Sequence, residues 1–410
     1  MNLNNDLQAE LIATAQRVLT QNYRQQPIVL RRGSGCKVWD VRGDLYLDLT
    51  GGIAACPLGH AHLGLAVAIT EQAMKLVHVS NLFFVEEQIR CAETLVRLNP
   101  QLDKARVFFC NSGAEANEAA IKLAKRYQTI VRGRPERTTV ISFEGSFHGR
   151  SIATVALTGQ EKYRTGFGPL VEWAAIVPWP ESSDDKRALE RIDQSTCAVI
   201  LEPIQAEGGI RVPPPGFLAA LRKRCDETGT VLIFDEVQTG VGRTGTMFGY
   251  ESTGIRPDIM SLAKGLGGGV PIGAIVATGE VAQGFAPATH ASTFGGNPLA
   301  TAAARFVLET IENEKLLDRV RTLGEHLGRR LQELVVRFPK IAVEARGQGL
   351  LRGLLLNRDA VPIVAKLRER KVLLSVAGGT VVRFVPPFIV EVAELDAGVD
   401  ALAQVLAEVG

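Results

Sequence analysis

Ser112, Gly113 and Ala114 stand where an apolar run opens into a strongly helical segment, in RVFFCNSGAEANEAAIKLAKRY. A helix N-terminus has unpaired N–H groups and a partial positive charge, so these three residues could hold a phosphate. An ordinary capped helix would look the same, and the segment lacks the Gly-x-x-x-x-Gly-Lys-Ser/Thr loop of nucleotide enzymes. The prediction of an anion site therefore depends on whether other residues in the sequence suit the same ligand.

Asp235 ends an apolar run in TVLIFDEVQTG, where it would lie at the end of a central strand. A carboxylate in that position needs a partner. A cation about 4 Å away at an effective dielectric near 20 is worth roughly 4 kcal/mol, enough to keep a pyridine nitrogen protonated at neutral pH. A protonated ring nitrogen turns pyridoxal into an electron sink. Capping a loop or pairing with an arginine remains the alternative use of Asp235.

Lys264 lies in SLAKGLGGG, among small apolar residues and glycines. Its amine would be easily desolvated there, and so more readily neutral and nucleophilic. Most lysines are surface residues, which makes Lys264 alone weak evidence. Together, however, a phosphate cradle, an acid at a strand end and this lysine form the set that a pyridoxal-phosphate site requires.

The elements that must position these groups alternate between helices and short apolar runs from about residue 64 onward. Such runs are typical of strands buried on both faces, and their spacing leaves room for crossover helices. We therefore predict an α/β fold with a mainly parallel sheet, whose ligands bind at the carboxyl ends of its strands. The predicted strands are 106–110, 139–143, 198–201, 231–234 and 272–277.

The two ends of the chain follow other patterns. An amphipathic helix and then a strand pair turning at 42–44 precede the α/β region. A long helical stretch over about 299–338, with a break near Asn313, follows it and leads to a Gly-rich segment, a helix and a strand. We predict an N-terminal segment (1–63) that packs with the small domain, a large cofactor-binding domain (64–298) and a smaller α+β domain (299–410).

The composition is that of an ordinary globular protein, since 46% of the 410 residues are apolar and 22% are charged. The 46 Lys and Arg nearly balance the 44 Asp and Glu without long blocks of either sign, which argues against nucleic acid or a membrane as partner. No signal peptide is visible, and no apolar stretch approaches the roughly 20 residues that span a bilayer. The six cysteines show no Cys-x-x-Cys spacing, so we expect reduced thiols and a cytoplasmic protein.

Six segments resemble, in order, the signature segments of class III aminotransferases: NSGAEANEAAIKLAK, SFHGR, EPIQAEGG, FDEVQTGVGRTG, SLAKGLGGG and STFGGNPLA. The resemblance runs from about Gly51 to the C-terminus and is greatest to the acetylornithine aminotransferases. It implies a fold-type-I enzyme dependent on pyridoxal phosphate, normally a homodimer with active sites at the subunit interface.

The resemblance also assigns roles to individual residues. Lys264 would form the Schiff base, and Asp235 would pair with the pyridinium nitrogen. Gln238 would bond the ring's phenolic oxygen, and Phe147 would stack on the ring. The remaining cofactor contacts would come from Ser112, Gly113 and Ala114 at the phosphate, from Glu236 and Val237 beside Asp235, and from Thr293 of the other subunit at the phosphate.

For the substrate, the resemblance makes Arg150 the carboxylate clamp, a task that suits a planar guanidinium. Ser292 would also touch the substrate, and Glu207 and Arg383 would form a switching pair in which the arginine leaves the glutamate to bind the carboxylate of glutamate. The implied reaction transfers the δ-amino group of N-acetylornithine to 2-oxoglutarate. Ornithine, succinylornithine or another ω-amine is the alternative donor.

Three other interpretations use residues outside this set. Residues 240–245 match a dinucleotide fingerprint with Asp258 downstream, which would suit an NAD-linked oxidoreductase, but the match does not join a strand directly to a helix and is predicted to be a loop. His60 and His62 lack a third metal ligand at suitable spacing, and His148 is expected to have no catalytic role. A binding protein without turnover is disfavoured because Lys264 and Asp235 are both present.

Overall fold

The computed structural model describes residues 3–409, which form three β-sheets and the helices around them. The helix Leu3–Val18 comes first, as its amphipathic pattern predicts. An antiparallel sheet then forms from three strands: β1 (Leu30–Ser34), β2 (Lys37–Asp40) and β3 (Leu45–Asp48). Asp40 closes the β2–β3 turn, because its Oδ1 accepts hydrogen bonds from the N–H groups of Arg42 and Asp44, each at 2.9 Å. The predicted strand pair is confirmed.

The central sheet has seven strands in the order β4-β10-β9-β8-β7-β5-β6. Only β10 runs antiparallel to its neighbours, so the predicted mainly parallel sheet is confirmed. The strands are β4 (Arg106–Cys110), β5 (Thr139–Phe143), β6 (Ala174–Val177), β7 (Thr196–Leu201), β8 (Val231–Asp235), β9 (Ile259–Leu262) and β10 (Gly273–Ala277).

Every residue of β7, β8, β9 and β10 is buried, which explains why these segments are apolar on both faces. The helices that cover the sheet, together with shorter helical turns, are Leu63–Lys75, Glu86–Arg97, Gly113–Arg126, Tyr127–Val131, Ile152–Ala156, Glu161–Tyr163, Lys186–Leu189, Phe217–Thr228, Gly249–Thr253, Lys264–Gly267 and Gly279–Ala282. Within residues 3–409, no helix is both long enough and apolar enough to cross a membrane.

The C-terminal part begins with the helices Pro298–Asn313 and Leu316–Arg337, which confirm the predicted helical stretch and its break. An antiparallel sheet in the order β11-β12-β15-β14 follows, and the neighbouring β13 pairs in parallel with β3 of the N-terminal sheet. The elements are β11 (Ala342–Gln348), β12 (Leu351–Leu356), the helix Val361–Glu369, β13 (Val372–Leu373), β14 (Ser375–Ala377), β15 (Val381–Phe384) and the helix Val392–Val409. The domain boundaries themselves stay a prediction.

Gly273 shows how tightly the central sheet fits against one of the predicted chemical segments. It is the first residue of β10, and it pairs with Cys110 at the end of β4. A Cβ atom on Gly273 would lie 2.3 Å from the carbonyl oxygen of Ser112, a backbone atom that cannot move alone. Only glycine therefore lets β10 approach the turn that carries Ser112.

We expect Gly273→Ala to lower the free energy of unfolding by about 1–3 kcal/mol, the usual cost of overpacking, and to weaken cofactor binding at Ser112. Urea unfolding and a titration of the apoenzyme with pyridoxal phosphate measure the two effects. Gly328→Ala is the matched control, because its nearest neighbour is the flexible guanidinium of Arg352 at 3.1 Å and alanine favours a helix. Equal losses in the two variants would contradict this account.

Candidate active site

A cavity of about 370 Å³ opens at the carboxyl ends of β4, β5, β7, β8 and β9. This is the edge where an open α/β sheet binds its ligands. The cavity brings together most of the predicted site residues, which come from five separate stretches of the chain. Those that line it are Ser112, Gly113, Ala114, Phe147, Arg150, Glu207, Asp235, Val237, Gln238 and Lys264.

Asp235 is the last residue of β8 and is only 3% exposed. Its Oδ2 accepts hydrogen bonds from Asn117 Nδ2 and lies 2.8 Å from His148 Nδ1, and its Oδ1 accepts one from the Val237 N–H at 3.0 Å. Because a carboxylate accepts about four hydrogen bonds, one position on Oδ1 remains for a ligand. Asp235 is thus held rigidly with an acceptor available beside the cavity.

His148 and Asn117 are functional residues that the sequence analysis missed. With its proton on Nδ1, the buried His148 donates to Asp235, while its Nε2 has no partner among residues 3–409. Asn117 is itself oriented, since its Oδ1 accepts a 2.6 Å hydrogen bond from Ser261 Oγ. The only available signal for His148 was its place next to Phe147 in SFHGR, and nothing marked Asn117 within its helix.

Glu202 also lines the cavity without having been predicted. It follows β7 directly, is 6% exposed, and its Oε2 has no hydrogen-bond partner among the described residues. Burial, and then the charge of Asp235, raises the pKa of the Glu202 carboxyl well above its ordinary value. Burial and the charge of Asp235 thus both favour the protonated form of Glu202.

The helix Gly113–Arg126 points its N-terminus at the cavity, as predicted for a phosphate cradle. Ser112 caps it, because the Ser112 Oγ accepts a hydrogen bond from the Glu115 N–H at 3.2 Å. The N–H groups of Gly113 and Ala114 have no backbone acceptor in the described structure. A side chain at Gly113 would lie 2.8 Å from Val237 Cγ1, so glycine is needed where the helix meets the Asp235 loop.

Lys264 follows β9 and is half-buried in the cavity wall. Its φ of 42° is unusual for a residue other than glycine, a strain that often marks functional positions. Burial lowers the pKa of the Lys264 amine, although the negative charge of Glu207 opposes the shift. The amine is consequently more often neutral, and more nucleophilic, than that of a surface lysine.

Glu207 and Arg383 lie far apart in the sequence but form an ion pair, with Arg383 Nη1 2.5 Å from Glu207 Oε1. Gln238 joins the pair, since its Nε2 donates to Glu207 and its Oε1 accepts from Arg383, each at 3.2 Å. Burial opposes ionisation of Glu207, but the charges of Arg383 and Lys264 outweigh it and lower its pKa to about 2. The buried Arg383 is thus neutralised by Glu207 in this arrangement.

Four predicted residues do not line the cavity. Arg383 is one of them, although it contacts Glu207 and Gln238 in the cavity wall. Glu236 points away from the cavity and accepts hydrogen bonds from Thr239, Gly249 and Tyr250, so it supports the loop around Asp235. Burial raises the pKa of the Glu236 carboxyl to about 7, although these hydrogen bonds oppose the shift. Ser292 and Thr293 line a separate surface cavity of about 1610 Å³, and Ser292 Oγ accepts a 3.2 Å hydrogen bond from Asn111 Nδ2.

The residues of the rival interpretations have other uses. Residues 240–245 form a turn, and Asp258 Oδ2 accepts hydrogen bonds from Arg222 and the Leu232 N–H. His60 pairs with Asp48 at 2.7 Å, and His62 caps the helix Leu63–Lys75. Between residues 3 and 409, no cluster of three or more side chains is arranged to hold a metal ion.

The sequence matches the aminotransferase class-III family over residues 18–406. The chain belongs to the class-III aminotransferases. It is 48% identical to the acetylornithine aminotransferase of Myxococcus xanthus, over 94% of this chain and 95% of that protein. The acetylornithine aminotransferase of Thermosynechococcus vestitus is 47% identical, with 95% of each chain covered. The ornithine aminotransferase of Toxoplasma gondii, solved with partial occupancy of pyridoxal phosphate, matches with a TM-score of 0.91 at 32% identity, over 98% of this chain and 94% of that one.

These likenesses confirm the predicted fold type and make the protein a pyridoxal-phosphate-dependent aminotransferase. The cavity fits that cofactor, because an unpaired cluster of N–H groups, an acceptor on a buried aspartate and a desolvated lysine face one space. When bound, pyridoxal phosphate supplies an aldehyde carbon for the amino group and a ring that accepts electrons. In this class-III aminotransferase, Lys264 would hold it covalently, Asp235 would bond its ring nitrogen, and the turn at Ser112 would bind its phosphate.

Asp235→Asn should lower kcat on the order of 10²- to 10³-fold, because the amide carries no charge to keep the ring nitrogen protonated. The cofactor should still be held by Lys264, so its visible absorption band should persist in the purified variant. Steady-state rates and absorption spectra measure both effects. Asp226→Asn is the control, since Asp226 forms only a surface ion pair with Arg222. A near-normal rate in Asp235→Asn would remove the role given to this carboxylate.

Glu207→Gln should destabilise the fold by an amount that depends on pH. Since folding depresses the pKa of Glu207 from 4.5 to about 2, its stabilising contribution is complete above pH 4.5 and is lost as the pH falls toward 2. We expect at most about 3 kcal/mol at pH 7. Urea unfolding between pH 7 and pH 3 measures the difference from wild type. The exposed Glu71→Gln should stay within about 0.5 kcal/mol throughout, and a pH-independent loss in Glu207→Gln would contradict this account.

Proposed function

We propose that this aminotransferase transfers the δ-amino group of N-acetylornithine to 2-oxoglutarate, giving N-acetylglutamate semialdehyde and glutamate in arginine biosynthesis. The observation that carries the proposal is the unequal state of the two arginines near the cavity. Arg383 is neutralised by Glu207, whereas Arg150 lies exposed at the cavity mouth. The names of the similar proteins from Myxococcus and Thermosynechococcus support the same donor.

The donor half of the reaction follows from this difference. Because Arg383 is paired with Glu207, its charge is not available to a carboxylate next to the reacting carbon. An amine without an adjacent carboxylate is therefore accepted there. The carboxylate of N-acetylornithine, several bonds from the δ-amine, is bound by Arg150 instead. The amine of Lys264 would act as the general base that takes the proton from the δ-carbon. Its lowered pKa leaves a larger share of the amine neutral for this step.

The acceptor half requires Arg383. 2-Oxoglutarate carries a carboxylate next to its reacting carbonyl, and Arg383 binds it after Glu207 moves aside. Gln238, which bonds both members of the pair, can keep one partner when the pair opens. The same cavity therefore serves an ω-amine and an α-keto acid in turn, and Lys264 returns the proton to the α-carbon of glutamate.

The homodimer is also a proposal, with active sites at the subunit interface. The cavity that holds Ser292 and Thr293 lies beside strongly exposed apolar side chains, among them Leu82 at 87% and Phe84 at 97% exposure. Covering such side chains favours association, and a second copy would place its Thr293 near the cofactor phosphate. We propose a cytoplasmic location as well, which the six free cysteines support.

With 2-oxoglutarate as acceptor, kcat/KM should be highest for N-acetylornithine among N-acetylornithine, N-succinylornithine, ornithine and 4-aminobutyrate. Coupled assays of glutamate formation measure the series, and Lys264→Ala provides the enzyme without turnover as a blank. Free ornithine carries an uncompensated α-ammonium group that a pocket for an acylated amine does not neutralise. A marked preference for ornithine would overturn the assignment in favour of an ornithine aminotransferase.

A further inference from the structure

Arg150 has an environment unlike that of the other arginine near the cavity. Within residues 3–409 its guanidinium forms no ion pair and no hydrogen bond, and its close contacts are two aromatic rings. The Cζ atom lies 4.0 Å from the ring centroid of Tyr163 and 5.4 Å from that of Phe147. A cation over an aromatic ring is attracted by the ring's negative face. The Arg150 side chain is therefore held in place without using its hydrogen-bond donors.

The two rings form a corner around the guanidinium. Tyr163 and Phe147 meet edge to face, with centroids 5.4 Å apart and planes at 79°. A cation–π contact attracts the guanidinium charge without accepting a conventional hydrogen bond from its N–H groups. The arrangement therefore leaves N–H donors available for a carboxylate and removes much of the rotational freedom that an exposed arginine would otherwise have.

Tyr163 is itself fixed relative to the cavity. It ends the short helix Glu161–Tyr163, and its N–H donates to the Gln160 carbonyl at 3.0 Å. Gln160 Nε2 in turn donates to the Gly145 carbonyl at 3.1 Å, on the loop that carries Phe147. Tyr163 is half-buried and does not line the cavity, so it reaches a substrate only through Arg150.

We propose that Tyr163 is a positioning residue for the substrate carboxylate, and that its stacking on Arg150 sets the enzyme's preference for amines that carry a remote carboxylate over amines that lack one. The inference rests on the proposed function, in which Arg150 binds the carboxylate of the donor. The ring orients the guanidinium before the donor arrives, so that less conformational entropy is lost on binding.

The test compares matched donors that differ only in the carboxylate: N-acetylornithine with N-acetylputrescine, and ornithine with putrescine. In a ping-pong reaction, kcat/KM for the donor is independent of the acceptor concentration. The ratio of the two kcat/KM values within each donor pair therefore reports the donor half-reaction alone. Tyr163→Leu should lower kcat/KM for N-acetylornithine roughly 3- to 30-fold, mainly through KM, as expected for loss of a cation–π contact. Its value for N-acetylputrescine should change less than about twofold. Tyr163→Phe keeps the ring and should behave like wild type with both donors.

Two further variants separate stacking from other effects. Lys162 Nζ lies 4.8 Å from the same ring centroid, and Lys162→Ala should leave the donor ratio unchanged. In an Arg150→Ala background, Tyr163→Leu should have no additional effect, because the group it positions is gone. An equal loss with both members of a donor pair, or a loss in Tyr163→Phe as large as in Tyr163→Leu, would overturn the proposal.

Failure of the proposed function would give a different result. If wild type preferred ornithine over N-acetylornithine, the donor assignment would be wrong, yet the ornithine-to-putrescine ratio would still measure the effect of Tyr163. A ratio that falls in Tyr163→Leu for that pair supports the positioning role whichever ω-amine is preferred. A ratio that stays constant in both pairs rejects it.

Discussion

A carboxylate buried at the end of a central strand is the constraint on which this active site depends. Asp235, the last residue of β8, is only 3% exposed to solvent, and an unpaired charge there would be strongly destabilising. The carboxylate is hydrogen-bonded by donors from three separate elements: Asn117 from a helix, His148 from the loop after β5, and the backbone of Val237. The same contacts that stabilise the charge also fix the direction of the carboxylate, so one set of hydrogen bonds determines both its stability and its geometry.

The other charges of the cavity are arranged around that carboxylate. Arg383 brings positive charge, Glu207 is ionised and paired with it, and burial together with Asp235 raises the pKa of Glu202. A fully ionised Glu202 would compete with Asp235 for the same cations. Separating the protonation states of nearby carboxyl groups through their surroundings is how active sites assign them different tasks. Here, Asp235 keeps an acceptor available beside the cavity, Glu207 pairs with Arg383, and burial favours the protonated form of Glu202.

Much of this could be predicted from the sequence because parallel strands end at one edge of a sheet. The runs before Ser112 and Asp235 were long, apolar and correctly assigned as strands, which placed two of the three key segments together. β6 and β9 were missed: β6 begins with two alanines, which are depleted in strands, and β9 contains Ser261 within an otherwise apolar run. His148 and Asn117 gave little signal, because their importance comes from contact with Asp235 across 87 and 118 residues of chain. Likewise, the pairing of Glu207 with Arg383 depends on how the C-terminal sheet packs against the central one, which no local pattern encodes.

The two arginines show how one cavity can accept two substrates with different charge patterns. Arg383 is buried and bound in a network with Glu207, Gln238 and Ser375, so its positive charge becomes available only when an incoming carboxylate competes with Glu207. Arg150 differs, since its exposed guanidinium lies near the rings of Tyr163 and Phe147 and forms no ion pair within residues 3–409. Under the proposed function, a donor with a distant carboxylate would need only Arg150, whereas a dicarboxylate acceptor would supply the second negative charge that displaces Glu207. On that proposal, the order in which the two arginines bind carboxylates would follow from which of them is already paired.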